Sequence, residues 1–167
     1  MEMIAWTSIS TAKSNPAPGL LIIRALRDVM AHWSVETDEN VEKQPYPIVY
    51  TDDVFSRLME AFESLAVVAS ESMQHQSFAE VVHTFAVMFN CLAADQQRRA
   101  EDLILRIISA LGEFVLTAEL DSALSALVFA LNRSARMSTA AAVQAAQERL
   151  QLSVGKLHSR ATRSAAK

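Results

Sequence analysis

Three glycines in 167 residues constrain this chain more than any other single feature. Glycine supplies the positive-φ positions of tight hairpins and the close backbone approach that phosphate loops and dinucleotide fingerprints require. With so few, an all-β fold rich in tight turns and the glycine-loop nucleotide enzymes are both disfavoured. One cysteine excludes an internal disulfide and a cysteine-based zinc knuckle. The length suits one domain with a continuous core. The expectation is a soluble, all-α protein of a reducing compartment, and cytoplasmic.

Hydrophobic periodicity organises the chain into five to six helices. Residues 1–18 read as an N-terminal arm, with Ile4, Trp6 and Ile9 apolar and Pro16 and Pro18 closing it. A first helix is predicted from Leu20 to Trp33 with Ile22, Leu26, Val29 and Trp33 inward, followed by an acidic loop from Glu36 to Gln44. The stretch Tyr46 to Tyr50 is broken by proline and extended at most. Thr51 caps a second helix whose buried face is Phe55, Leu58, Phe62, Leu65 and Ala69. Ser77 and Glu80 form a capping box for a third helix, apolar round so much of its circumference that it should be central. Cys91 reads as a small core residue at its end.

Asp95 caps a fourth helix that carries Leu103, Ile107 and Phe114 in one row and Ile104, Ile108, Leu111 and Val115 in another, with Gly112 inside. A fifth starts near Thr117, and Ser138 caps a long alanine-rich sixth. Short connections favour antiparallel neighbours. The reading is a single-domain bundle: arm 1–18, helical core 19–137, and basic C-terminal helix or tail 138–167.

Charge is unevenly spread. Net charge is −4, yet residues 1–130 hold 8 Lys/Arg against 18 Asp/Glu, and residues 131–167 hold 7 against one, Glu148. At about 100° per residue, Arg149, Lys156, Arg160, Arg163 and Lys167 fall on one helical stripe, beside a seam of Val143, Leu150, Val154, Leu157 and Ala161. Such a helix docks its seam on protein and presents guanidinium and ammonium groups to phosphates. No aromatic interleaves the stripe and no Asn or Gln lies on it, so neither base stacking nor base-specific reading is encoded. The competing readings are a solvated tail and a stripe that meets the acidic loop around Asp38, Glu39 and Glu42 in the same or a neighbouring subunit.

Arg98 and Arg99, with Arg106, offer a second anion site near the start of the fourth helix. Glu101 and Asp102 lie beside them, and local ion pairing on a solvated face is the reading the sequence favours. The stretch Arg98-Arg99-Ala100-Glu101-Asp102 resembles an arginine-rich helix start in rod-shaped plant virus coat proteins, over a short stretch and with a different number of preceding helices.

No motif argues for catalysis. Glu80-Val-Val-His83 has di-iron spacing but lacks a second pair. Asp28 with His32 and Glu71 with His75 are ordinary helix-face pairs without a third ligand. Ser10-Thr-Ala-Lys13 lacks the companion motifs of its class. No cofactor or metal is expected. No apolar run reaches membrane-spanning length, and the basic helix lacks the bulky apolar face of an interfacial one. The expected function is non-enzymatic: a nucleoprotein or coat-protein type of assembly subunit that self-associates and contacts nucleic acid, RNA first, without sequence preference. The alternative is a helical adaptor whose basic stripe docks on an acidic protein partner.

Overall fold

A computed structural model describes residues 17–39, 54–111 and 115–164, with side chains described for 17–32, 54–111 and 115–153. Six α-helices and no strand occur among the described residues: α1 (Ala17–Glu39), α2 (Val54–Glu71), α3 (His75–Met88), α4 (Ala94–Ser109), α5 (Ala118–Arg133) and α6 (Met137–Ser164). A short 3₁₀ turn, Phe89–Cys91, joins α3 to α4. The arm with Ile4, Trp6 and Ile9, the segment Tyr46 to Tyr50, the Thr51 cap, Gly112, Phe114 and Lys167 lie outside the described residues.

The helices alternate in direction. Arg106 of α4 reaches Glu63 of α2, and Ser70 near the end of α2 donates to the carbonyl of Ala110 just past α4, so α2 and α4 run the same way. Thr139 meets Glu101 near the start of α6, while Ile108 and Leu150 share a cleft farther along, so α6 runs with them. In the opposite sense, Gln76, Glu80 and His83 of α3 share a cleft with Glu119, Ser122 and Ala123 of α5. Ser134, past the end of α5, donates to Asn90 past the end of α3 at 2.6 Å. Helices α3 and α5 are therefore parallel, and their contact is the most extensive in the molecule.

One core joins all six. Helix α3 buries Phe78, Val81, Val82, Phe85 and Met88, and contacts α1, α2 and α5. Phe85 meets Phe62 of α2 edge-to-face with ring centroids 5.5 Å apart, the geometry the ring quadrupoles favour. The predicted face of α2 is buried throughout, Phe55 through Ala69. Thr117 caps α5, its Oγ1 accepting from the Leu120 N–H at 3.3 Å. Ala140, Val143, Ala146 and Leu150 bring the first half of α6 into the same core.

Several local expectations are corrected. Helix α1 continues to Glu39 rather than stopping at Trp33, because no proline or glycine interrupts Ser34 to Glu39. Its inward face is Gly19, Ile23 and Met30, with Ile22 and Leu26 half-buried and Val29 exposed. What sets this rotation is a clasp: Glu80 accepts from Arg24 Nε at 3.1 Å and from Arg27 Nη1 at 3.2 Å. Glu80 is therefore not a capping residue. The preceding turn already starts α3 at His75, so Ser77 is buried inside the helix and donates to Gln74 Oε1 at 3.2 Å.

Cys91 is exposed, not buried, because the 3₁₀ turn changes phase, sending Phe89 inward and Asn90 and Cys91 outward. Helix α4 starts before Asp95; its leading N–H, that of Ala93, is bound by Gln96 Oε1 at 3.0 Å, and Asp95 sits in the first turn. The same helix ends at Ser109, with Ala110 as its C-cap, rather than running on through Val115, which is 43% exposed. Ser138 lies within α6, which starts at Met137.

Two helical hairpins close without glycine. After α2, the Gln74 N–H bonds to the Ala69 carbonyl at 2.8 Å and the Met73 N–H to that of Ser70 at 3.1 Å. After α5, the Arg136 N–H bonds to the Leu131 carbonyl at 2.9 Å and the Ala135 N–H to that of Asn132 at 3.1 Å. Both are Schellman closures, and both place a non-glycine residue in the left-handed region: Met73 at φ 55° and Ala135 at φ 58°. A Cβ there costs roughly 1–2 kcal/mol, part of which glycine returns to the unfolded chain as entropy. Ala135→Gly is expected to raise stability by about 0.5–1 kcal/mol, and Ala135→Val to lower it by at least about 1 kcal/mol. Urea unfolding of the two variants reads this directly; equal midpoints would contradict the strained turn.

Candidate nucleic-acid interface

The candidate contacts divide between two ends of the molecule. Arg98 and Arg99 lie in the opening turns of α4, at the end where α5 finishes and α6 begins. Arg149 borders a cleft with Ser109 and Leu111 at the far end of α4. Ser109 lies eleven positions beyond Arg98 on α4, about 16 Å along the axis. The sequence stripe and the Arg98–Arg99 pair are thus two separate basic features.

On α6 the described part follows the predicted azimuths. Val143 and Leu150 are buried, and Arg149 is exposed, its Nε donating to the Ala145 carbonyl at 3.4 Å. Gln147 anchors this level of the helix to α5, its Nε2 donating to Asp121 Oδ1 at 2.6 Å and to Ser125 Oγ at 2.9 Å. The helical backbone continues to Ser164. Lys156, Arg160 and Arg163 are placed on it by backbone alone, their side chains lying outside the described ones.

The start of α4 differs from the sequence expectation. Glu101 does not pair with Arg98. It is bound across the fold by Arg136, Nη1 to Oε2 at 3.4 Å, and by Thr139 Oγ1 at 2.8 Å. Arg136 also donates to Gln97 Oε1 at 3.2 Å. Arg98 is left exposed with no ion pair among the described residues. Arg99, also exposed, places its guanidinium 6.0 Å from the centroid of the Phe55 ring, within cation–π range. Arg106 does not join them: Glu63 holds its Nε at 2.7 Å and Nη2 at 3.1 Å. That hydrogen bond, ahead of other causes, raises the Arg106 pKa above its ordinary value.

Arg133, exposed at the end of α5, belongs to the same end as Arg98 and escaped the sequence reading. The signal for it was the short link from Arg133 to Met137, which closes a hairpin and returns the end of α5 to the start of α4 and α6.

Two other titratable groups among the described residues are shifted. The Glu80 clasp raises Arg24 above its usual pKa, chiefly through the side-chain hydrogen bond. Burial lowers that of His75. Among the described residues no three His, Cys, Asp or Glu side chains are grouped to hold a metal ion, and no helix is long and apolar enough to cross a membrane. No family model, no curated protein and no solved structure matches this chain.

Proposed function

We propose that the chain is a non-enzymatic assembly subunit of nucleoprotein or coat-protein type, whose C-terminal segment contacts nucleic-acid phosphates without sequence specificity. Its place of work is the cytoplasm, or a particle that packages the nucleic acid. One observation carries the reading: from Met137 onward Arg149, Lys156, Arg160, Arg163 and Lys167 stand against a single acid, Glu148, and the helix that begins there is anchored in the core at Val143 and Leu150. The anchoring fixes the azimuth of Arg149, and the sequence spacing of Lys156 and Arg163, one and two heptads on, continues its stripe. Arg98, Arg99 and Arg133 supply a second, smaller phosphate-binding end.

The anchoring also dictates the experiment. Removing everything after Met137 would delete four core residues of α6, so the informative truncation ends at Ser153. The five phosphate contacts of the stripe on single-stranded RNA contribute about −3.5 to the slope of log K against log salt, roughly a hundredfold loss between 50 and 200 mM. Truncation after Ser153 removes four of the five stripe cations and is expected to make the slope shallower by about 2.8, leaving only Arg149 and the smaller Arg98, Arg99 and Arg133 end. Absence of binding at low salt, or a slope that survives truncation, would sink the reading.

A further inference from the structure

Helix α2 turns a mixed stripe outward. Glu60, Ser64, Val67 and Glu71 follow one another at intervals of four, three and four residues, which keeps them on one face. Glu60, Val67 and Glu71 are exposed, and the stripe borders a groove of ≈ 460 Å³. Neither Glu60 nor Glu71 makes an ion pair among the described residues; the one engaged acid of the groove is Glu63, held by Arg106. Two carboxylates about 16 Å apart thus flank an apolar floor of Val67 and Val68.

The chain carries cations at the same spacing, two of which match the terminal carboxylates. Lys156, Arg160, Arg163 and Lys167 repeat the same intervals of four, three and four. The pattern reads identically in both directions, so terminal charges meet terminal charges whether the two helices pack parallel or antiparallel. Beside these cations run Leu157 and Ala161, apolar partners for an apolar floor. We infer that the α2 groove of one molecule seats the C-terminal basic segment of a second copy.

A second copy is required by direction. Helix α6 runs parallel to α2, with α4 between them, and passes its last described core contact at the end where α2 finishes. A continuous helix therefore carries residues 154–164 away from the α2 of its own chain. The contact goes beyond the phosphate reading and does not depend on it; nucleic acid and the groove compete for the same cations.

Single exposed ion pairs are weak, but two exchanged for repulsions across one narrow seat change association strongly at low salt. The test is sedimentation velocity of the full chain at micromolar concentration, at about 50 and 500 mM salt, spanning Debye lengths from well above to well below 10 Å. The unmodified chain is expected to associate at low salt and dissociate at high salt. Glu60→Lys with Glu71→Lys, and separately Lys156→Glu with Lys167→Glu, are each expected to weaken association at least roughly tenfold. Combining all four restores it, and circular dichroism confirms that each variant is folded. No association at low salt, indifference to either pair, or failure of the combined variant to recover would overturn the inference. RNA binding separates the two readings: the α2 substitutions are expected to leave the salt slope intact, whatever happens to self-association.

Discussion

Phe85→Ala is expected to cost about 3–5 kcal/mol of unfolding free energy. The ring is 1% exposed on α3, the helix that contacts α1, α2 and α5 together, and it meets Phe62 edge-to-face. Truncation removes the transfer energy of the ring, leaves a cavity between three helices that cannot all close on it, and deletes the aromatic pair. Against a typical total of about 5–15 kcal/mol, that is enough to leave the variant marginal at 37 °C. Phe85→Leu keeps most of the volume and should lose less than about 1.5 kcal/mol. Phe129→Ala is the matched control: this ring is 70% exposed on α5, and its loss should fall within about 0.5 kcal/mol of zero. Urea titration of the three variants orders them. A Phe85→Ala midpoint close to that of Phe129→Ala would mean that α3 is not the centre of the core.

The second large effect lies at the start of α4 and α6. Arg136→Ala is expected to cost about 2 kcal/mol. Glu101 is 14% exposed and keeps only Thr139 when the guanidinium is removed, while the Gln97 carbonyl oxygen loses its donor. A fully buried pair broken on one side costs more; the 28% exposure of Arg136 admits water to the vacated space and screens the stranded carboxylate. Arg136→Lys retains charge without the fork that reaches both Glu101 and Gln97, so it should fall between wild type and alanine. With Glu101→Gln as the other edge of a double-mutant cycle, coupling of about 1 kcal/mol is expected. Additive effects would show that the pair is geometrically close yet energetically idle.

Much of the helical content was legible because it rests on local periodicity. The α2 face from Phe55 to Ala69 and the start of α5 near Thr117 required nothing beyond the spacing of apolar residues. The misreadings share another cause. Glu80 has the right spacing from Ser77 for a capping box, but two arginines more than fifty positions away bind it more strongly. Glu101 sits one turn from Arg98 and still belongs to Arg136. In each case a tertiary partner defeats a local one, because a guanidinium held by packed helices loses less entropy on pairing than two solvated side chains do. The turns at Met73 and Ala135 were hidden for the opposite reason: the backbone closure is ordinary, but the residue that usually marks it is missing. In the candidate interface, the outward position of Arg149 and the inward positions of Val143 and Leu150 on α6 were readable from angles alone. The separation of Arg149 from Arg98 and the addition of Arg133 depended on knowing which helix ends meet.

The parallel arrangement of α3 and α5 has a consequence for how the chain finds its structure. The α2–α3 and α5–α6 hairpins close over turns of three residues each, and their ends meet early at small loop-closure cost. No turn can join two parallel helices, so the most extensive contact in the molecule must wait for α4 to cross between them and bring two finished hairpins together. The step expected to limit folding is then the docking of the two hairpins. The seam where they meet has Glu80 and Glu119 at one end and Asn90 and Ser134 at the other, and native-state hydrogen exchange is expected to show the amides along it opening together.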